Sequence, residues 1–176
     1  MTEDRTPRVS LISLGREHEA TFQNLIQLYT HDFSQYWAGT PRGDVQANGR
    51  FEDYPLSDFW ERPRWSANLI LIGGTIAGFS LVNDSSHIGA SVGANVAEFF
   101  ILRKFRGQGV GKSAARAMFN SRPGSWEVSV ADSNHAAKQF WKRVIESSRE
   151  AKDVREIDVR TKHWTGPVFR FVWLAD

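Results

Sequence analysis

The sequence predicts a single-domain mixed α/β (α+β) fold with antiparallel strand pairs near both ends and a β-α-β crossover in the middle. Three observations carry this prediction. Segments of period two and of helical period alternate along one chain of 176 residues, a length that suits one domain. A Gly73-Gly74 pair sits between two β-rich runs. A strand-like run ends in a glycine-rich turn that opens a helix, and another strand follows.

Residues 9–14 alternate through Val9, Leu11, Ile12 and Leu14, which predicts a first strand. Residues 17–36 place Ala20, Phe22, Leu25, Ile26, Leu28 and Tyr29 two to four positions apart, the pattern of an amphipathic helix. Residues 38–63 hold several Gly and Pro residues, many charges and scattered aromatics. They read as a loop with a short helix near 56–60, and so long a loop in a small domain is usually functional or mobile. Residues 68–72 and 75–82 form the predicted hairpin, 83–93 a turn region and 95–102 a further strand. Residues 106–112 are glycine-rich and 113–120 helical. Pro123-Gly124 is a break, and 126–130 a strand. Asp132-Ser133-Asn134 supplies N-cap candidates for a helix over 135–148. Strands over 153–161 and 168–173 close the chain, joined by a turn at Gly166-Pro167.

Composition excludes several classes. Hydrophobic residues make up 41% and charged residues 24%, which excludes disorder over most of the length. No apolar run reaches the roughly 20 residues of a membrane-spanning helix, and residues 1–10 lack the apolar core of a secretory signal. With no cysteine there is no disulfide, thiolate metal site or cysteine nucleophile, a composition that fits a cytoplasmic protein. A net charge of +2 is too small to predict general nucleic-acid binding, so any anion site is local. The seven tryptophans are read mainly as core.

The segment from Ala97 to Ser113 is the most informative. A glycine turn at a helix start aims unpaired N–H groups at one point, beside the positive end of the helix dipole, and so makes a phosphate cradle. A P-loop would need glycine where Arg106 stands. Gly109-Val110-Gly111-Lys112-Ser113-Ala114 matches the dinucleotide pattern G-x-G-x-x-A, and Asp132 lies roughly 20 residues on. However, residues 103–108 separate the strand from its glycine, and no further βαβ units follow. The third reading is a resemblance. Arg106-Gly107-Gln108-Gly109-Val110-Gly111 resembles the Q/R-x-x-G-x-G/A signature of the GCN5-related N-acetyltransferases, the GNAT superfamily. Residues 134–141, Asn134 to Trp141, look like the family's N-x-x-A-x-x-F-Y/W segment.

The resemblance implies a mostly antiparallel sheet flanked by helices, with two splayed parallel central strands that hold acetyl-coenzyme A and no metal. Splayed strands leave backbone groups unpaired, and the amides of the pantetheine arm satisfy them as a pseudo-strand. By carry-over, Phe99, Phe100 and Ile101 bind pantetheine or the acetyl carbonyl. Arg106, Gly107, Gln108, Gly109, Val110, Gly111 and Lys112 hold the pyrophosphate. Asn134 caps its helix and is also a candidate contact for the cofactor arm, and Trp141 packs against that arm.

The implied activity is transfer of an acetyl group to a primary amine of a small cationic molecule. A protein-directed acetyltransferase and a non-catalytic acyl-coenzyme A-binding module are the alternatives. The expected partner is the amine acceptor, not nucleic acid or a membrane, and a homodimer is left open. Glu98 is the catalytic candidate, as base or substrate contact; its alternative is a structural pair, because strand alternation turns it from the thioester unless a bulge intervenes. Trp141 stands where the family often has an acidic Tyr. Indole cannot supply that proton, which leaves Tyr29, Tyr36, Tyr54 or no dedicated acid. The acceptor is expected at the end of the first helix and in the 38–63 loop, among Tyr36, Trp37, Asp44, Glu52, Asp53, Tyr54, Asp58 and Trp60; for any single one of these acids, solvation of the loop is an equal alternative.

Overall fold

The computed structural model describes residues 8–175. Seven strands form one sheet in the order β1-β2-β3-β4-β5-β7-β6. They are β1 (Val9–Leu14), β2 (Ser66–Ile72), β3 (Thr75–Asn83), β4 (Ala94–Ile101), β5 (Gly124–Ser129), β6 (Ala151–Arg160) and β7 (Thr165–Trp173). The helices are α1 (Glu19–Ser34), α2 (Ser57–Glu61), α3 (Val110–Asn120) and α4 (His135–Glu146). All neighbours pair antiparallel except β4 and β5, the strands joined by the α3 crossover. The β2–β3 hairpin turns at Gly73 and Gly74, whose φ of 54° and 80° are the double left-handed conformation a two-residue hairpin needs.

Apolar stripes on the helices cover both faces. Phe22, Leu25, Ile26 and Tyr29 of α1 pack with Phe79, Leu81 and Phe100 on one face. On the other, Met118 and Phe119 of α3 and Trp141, Val144 and Ile145 of α4 pack against Val96, Trp126, Phe169 and Trp173. Burying each such side chain contributes about 1.5–3 kcal/mol. Trp126 and Trp173 are core, and each indole N–H is satisfied, by the Arg122 carbonyl at 2.8 Å and by Asn120 Oδ1 at 2.6 Å.

Three sequence expectations need correction. The helix after the glycine loop begins at Val110 rather than 113, because Gly109 (φ 80°) is its N-terminal boundary, so Gly111 and Lys112 lie in its first turn. Gly166 and Pro167 lie inside β7, paired with Val159 and Asp158. A Cβ at Gly166 would stand 2.2 Å from the Val130 carbonyl oxygen, so this glycine serves strand approach and not chain reversal. The reversal is at 161–164, where Thr161 Oγ1 accepts the N–H of His163 and of Trp164 at 3.2 and 3.0 Å. The first helix is also shorter than expected: Arg16–His18 form a 3₁₀ turn before α1.

Two irregularities in β4 prepare the site. Leu81 pairs with Glu98 but Val82 pairs with Val96, so Ala97 is an extra residue, a β-bulge. On its other edge β4 pairs with β5 only through Ala94↔Trp126, Asn95↔Glu127 and Val96↔Val128. Beyond Val96 the parallel strands part.

Candidate active site

The bulge decides where Glu98 points. Val96 packs on the α3/α4 face, whereas Ala97 and Phe100 pack on the α1/α2 face. The extra residue shifts the alternation by one, so Glu98 meets α1: the Tyr29 hydroxyl donates to its Oε2. Tyr54, from the loop before α2, supplies a second hydroxyl donor. That loop segment is held by two glutamines four residues apart on one face of α1. Gln23 bonds the N–H and C=O of Tyr54 at 3.1 and 2.8 Å, and Gln27 those of Phe51 at 2.8 and 3.2 Å. Burial pushes the Glu98 pKa above its ordinary value of 4.5, opposed by the two tyrosine hydroxyls and by the charges of Arg42 and His87. Burial also raises the Tyr29 and Tyr54 hydroxyls, reinforced by the adjacent carboxylate, which keeps both protonated as donors.

Glu98 lines a cavity of about 510 Å³ that passes between the parted ends of β4 and β5. Its walls include Tyr29, Trp37, Arg42, Tyr54, His87 and Trp164. A second cavity of about 650 Å³ runs over Gly107, Gly109, Gly111 and Lys112 at the start of α3, bounded by Tyr36, Asp32 and Arg143. Tyr29, Phe33, Phe99, Asn134, Ala137 and Trp141 line both, so the two meet where the strands separate.

The sequence candidates divide as follows. Phe99 stands at the junction, 5.0 Å from Trp141 and 5.9 Å from Phe140. Trp141 is buried there among Phe99, Phe119 and Phe140. Asn134 does cap α4, its Oδ1 accepting the Ala137 N–H at 3.0 Å, while lining both cavities. Gly111 closes against α4: a Cβ there would lie 3.1 Å from the Phe140 ring. Phe100 and Ile101 contribute backbone to the strand, but the Ile101 carbonyl already accepts Arg106 Nε at 2.7 Å. Arg106 is also paired with Asp32 at 2.6 Å, so its guanidinium braces β4 to α1 beside the glycine turn. Gln108 bonds the Lys104 carbonyl at 2.8 Å and Val110 is core, so only their backbone remains for a ligand.

The loop acids are less central than expected. Asp53 and Asp58 pair with Arg50 and Arg62 at 3.0 and 3.1 Å, and Trp60 packs on Phe22 at 5.6 Å. Asp44 and Glu52 are exposed, and among the described residues Glu98 is the acid that lines the first cavity.

The sequence reading missed Arg42, His87, Asn95, Glu127 and Trp164. Glu127 is fully buried on β5 and accepts the Ser86 hydroxyl at 2.7 Å and the His87 N–H at 2.6 Å. Burial alone would raise its pKa, but the His87 ring, the His87 N–H and Ser86 together pull it below the ordinary value. It thereby anchors the β3–β4 loop and sets His87 in the cavity wall, with Nδ1 2.9 Å from Ser129 Oγ and the ring 4.5 Å from Trp164. No local pattern relates residues 87, 127 and 164; the sheet brings them together. Among the described residues no group of three or more His, Asp or Glu is placed to hold a metal ion, and no helix is long and apolar enough to cross a membrane.

Parted parallel strands, a glycine turn at a helix start and a cavity on either side define an acyl-coenzyme A-dependent acyltransferase fold. The sequence matches the Acetyltransferase (GNAT) family over residues 22–145, and the chain belongs to that family of acetyl-coenzyme A-dependent N-acetyltransferases. Among solved structures it is similar to an acetyltransferase from Thermus thermophilus (14% identity, TM-score 0.63, covering 94% of this chain and 97% of the other). It is also similar to the aminoglycoside acetyltransferase AAC(6′)-Ib in complex with coenzyme A and kanamycin (14%, 0.59, 94% and 95%). A third is the acetyltransferase from Salmonella typhimurium that modifies the N-terminal serine of ribosomal protein L7/L12 (13%, 0.57, 96% and 95%). No protein of curated function matches the sequence.

Proposed function

We propose that this protein transfers the acetyl group of acetyl-coenzyme A to a primary amine of a small molecule that enters the first cavity as its ammonium. The observation that carries this reading is the junction of the two cavities at the parted strands, with Glu98 lining the first. The residues present fit the cosubstrate. β4 beyond Val96 has an edge without a partner strand, which suits the amides of a pantetheine arm. The first turn of α3 offers N–H groups to a pyrophosphate, with Lys112 and Arg143 at the rim. Bound there, acetyl-coenzyme A supplies an activated acetyl thioester.

The chain's own residues do the rest. Glu98 receives the acceptor's ammonium, and two of its lone-pair sites remain after the two tyrosines have donated. Phe99, Trp141 and Phe33 exclude water from the junction. Backbone N–H groups of Phe99 and Ile101, on the edge of β4 away from β3, are the donors for negative charge developing on the acetyl oxygen. Of the three tyrosines considered as acid, Tyr29 and Tyr54 are committed to Glu98. Tyr36, in the second cavity and 5.5 Å from Phe33, is left to protonate the departing sulfur.

A cavity of this size suits a small acceptor. The test joins binding to turnover. Acetyl-coenzyme A at 100 times its dissociation constant should stabilise the fold by about 2.7 kcal/mol, and thiol release should follow with at least one member of an amine panel. A thermal shift with NAD(H) and none with acetyl-coenzyme A would overturn the reading. Binding without thiol release from any amine would leave an acyl-coenzyme A-binding module.

A further inference from the structure

The first cavity is furnished for more than an ammonium. Arg42 lines it with the guanidinium 4.3 Å from the Trp37 ring centroid, and has no carboxylate partner among the described residues. The turn that carries it is tightly held. Thr40 donates both N–H and hydroxyl to the Trp37 carbonyl at 3.0 and 2.8 Å, and Gly43 sits so close to Trp37 that a Cβ would lie 2.6 Å from the ring. Arg42 acts electrostatically on Glu98, Tyr29 and Tyr54, so it belongs to the same field.

Two further wall residues have unfilled hydrogen-bonding capacity. Asn95 is 1% exposed; its Nδ2 donates to Asn83 Oδ1 at 2.9 Å, but its buried Oδ1 has no partner. The buried Trp164 Nε1 also has none. Both atoms are sealed from the cavity, so the charged groups it presents to an acceptor are the Glu98 carboxylate and the Arg42 guanidinium.

A polycation would meet Glu98 but bring a second positive charge against Arg42. A plain monoamine would leave Arg42 unused. We propose that the acceptor is a zwitterionic amine, a small molecule with an oxyanion in addition to the reacting ammonium, and that Arg42 is the residue that selects it. This rests on the amine-acetyltransferase reading above and narrows its substrate class. Guanidinium on an aromatic face keeps its outward N–H groups free for an oxyanion, carboxylate or phosphate alike.

The experiment compares matched acceptors in the acetyl-coenzyme A thiol-release assay: amino carboxylates and aminoalkyl phosphates, the same amines lacking the anion, and the polycations spermidine and kanamycin. In the wild type, kcat/KM for at least one zwitterion should exceed that of its matched monoamine by roughly 10–100-fold. That ratio should collapse in Arg42→Ala, with the loss in KM for the zwitterion, and favour the uncharged or polycationic amine in Arg42→Glu. The carboxylate and phosphate arms show which oxyanion is preferred. Arg42 is exposed, so both variants should fold, and equal melting temperatures check this. Preference of the wild type for monoamines or polycations overturns the proposal but leaves the acetyltransferase reading standing, as does a zwitterion preference that survives Arg42→Ala. Binding of acetyl-coenzyme A without turnover of any amine overturns both.

Discussion

Glu98→Gln separates binding, catalytic and structural roles because they have opposite signs in stability. The Glu98 pKa is raised by burial in spite of the Tyr29 and Tyr54 hydroxyls, Arg42 and His87. In the unfolded chain the carboxylate ionises near 4.5, but in the folded protein only at higher pH. Between the two values the folded state binds more protons, so stability falls as pH rises, by about 1.4 kcal/mol for each unit of upward shift once both states are ionised. The Gln variant keeps the shape and an acceptor for the tyrosine hydroxyls, and carries no charge to desolvate. Its melting temperature at pH 8 should equal or exceed that of the wild type, and the difference should shrink toward pH 4. Function should move the other way. A hydrogen bond to a charged group contributes about 1.5–3 kcal/mol, so KM for the amine should rise roughly 10–100-fold, while acetyl-coenzyme A affinity is maintained. If Glu98 also takes the proton, kcat falls too, and less so at high pH where more of the acceptor is already neutral. Thermal melts from pH 4 to pH 8, steady-state kinetics and calorimetry with acetyl-coenzyme A read all three. A melting temperature several degrees below wild type at pH 8, with unchanged kinetics, would refute the reasoning and make Glu98 a structural residue.

Gly109→Val should lower stability by about 1–2 kcal/mol, because φ of 80° is left-handed, and should abolish the thermal shift with acetyl-coenzyme A; a variant that binds as tightly as wild type puts the phosphate site elsewhere. Tyr36→Phe should reduce kcat by roughly 100-fold and leave acetyl-coenzyme A binding intact, since it deletes one proton and little packing; an unchanged kcat shows that the thiolate leaves without Tyr36. Glu127→Gln should cost about 1–3 kcal/mol at pH 7 by weakening the anchor of the β3–β4 loop. The folded-state pKa of Glu127 is depressed, so its contribution is full above the ordinary 4.5 and lost as pH falls through the lower folded value. Urea melts between pH 7 and pH 3 should therefore show a flatter acid limb in the variant.

Elements whose residues carry local periodicity or turn chemistry were legible. The Gly73-Gly74 hairpin, the Asn134 cap and the apolar stripes of α1 and α4 depend on neighbours within a turn or two, so their residues report them directly. Gly166-Pro167 misled because glycine also serves close strand approach, a need that arises only once β5 lies beside β7. The carboxylates of the 38–63 loop were open to two readings for a related reason. Charge in a loop is visible in sequence, but Asp53 and Asp58 pair with arginines three and four residues away, and the cavity takes its acid from β4 instead.

The order of elements, the glycine turn at 106–111 ahead of a helix and the family it resembles were determined by the sequence alone, because backbone conformation at glycine and helix caps is a local property. The facing of Glu98 was not. One extra residue at Ala97 reverses the alternation, and a bulge exists only relative to a partner strand, here β3. The cavity that Glu98 lines likewise required tertiary structure. Arg42, His87, Asn95, Glu98 and Trp164 come from separate strands and loops, and only the parting of β4 from β5 after Val96 opens the space they surround.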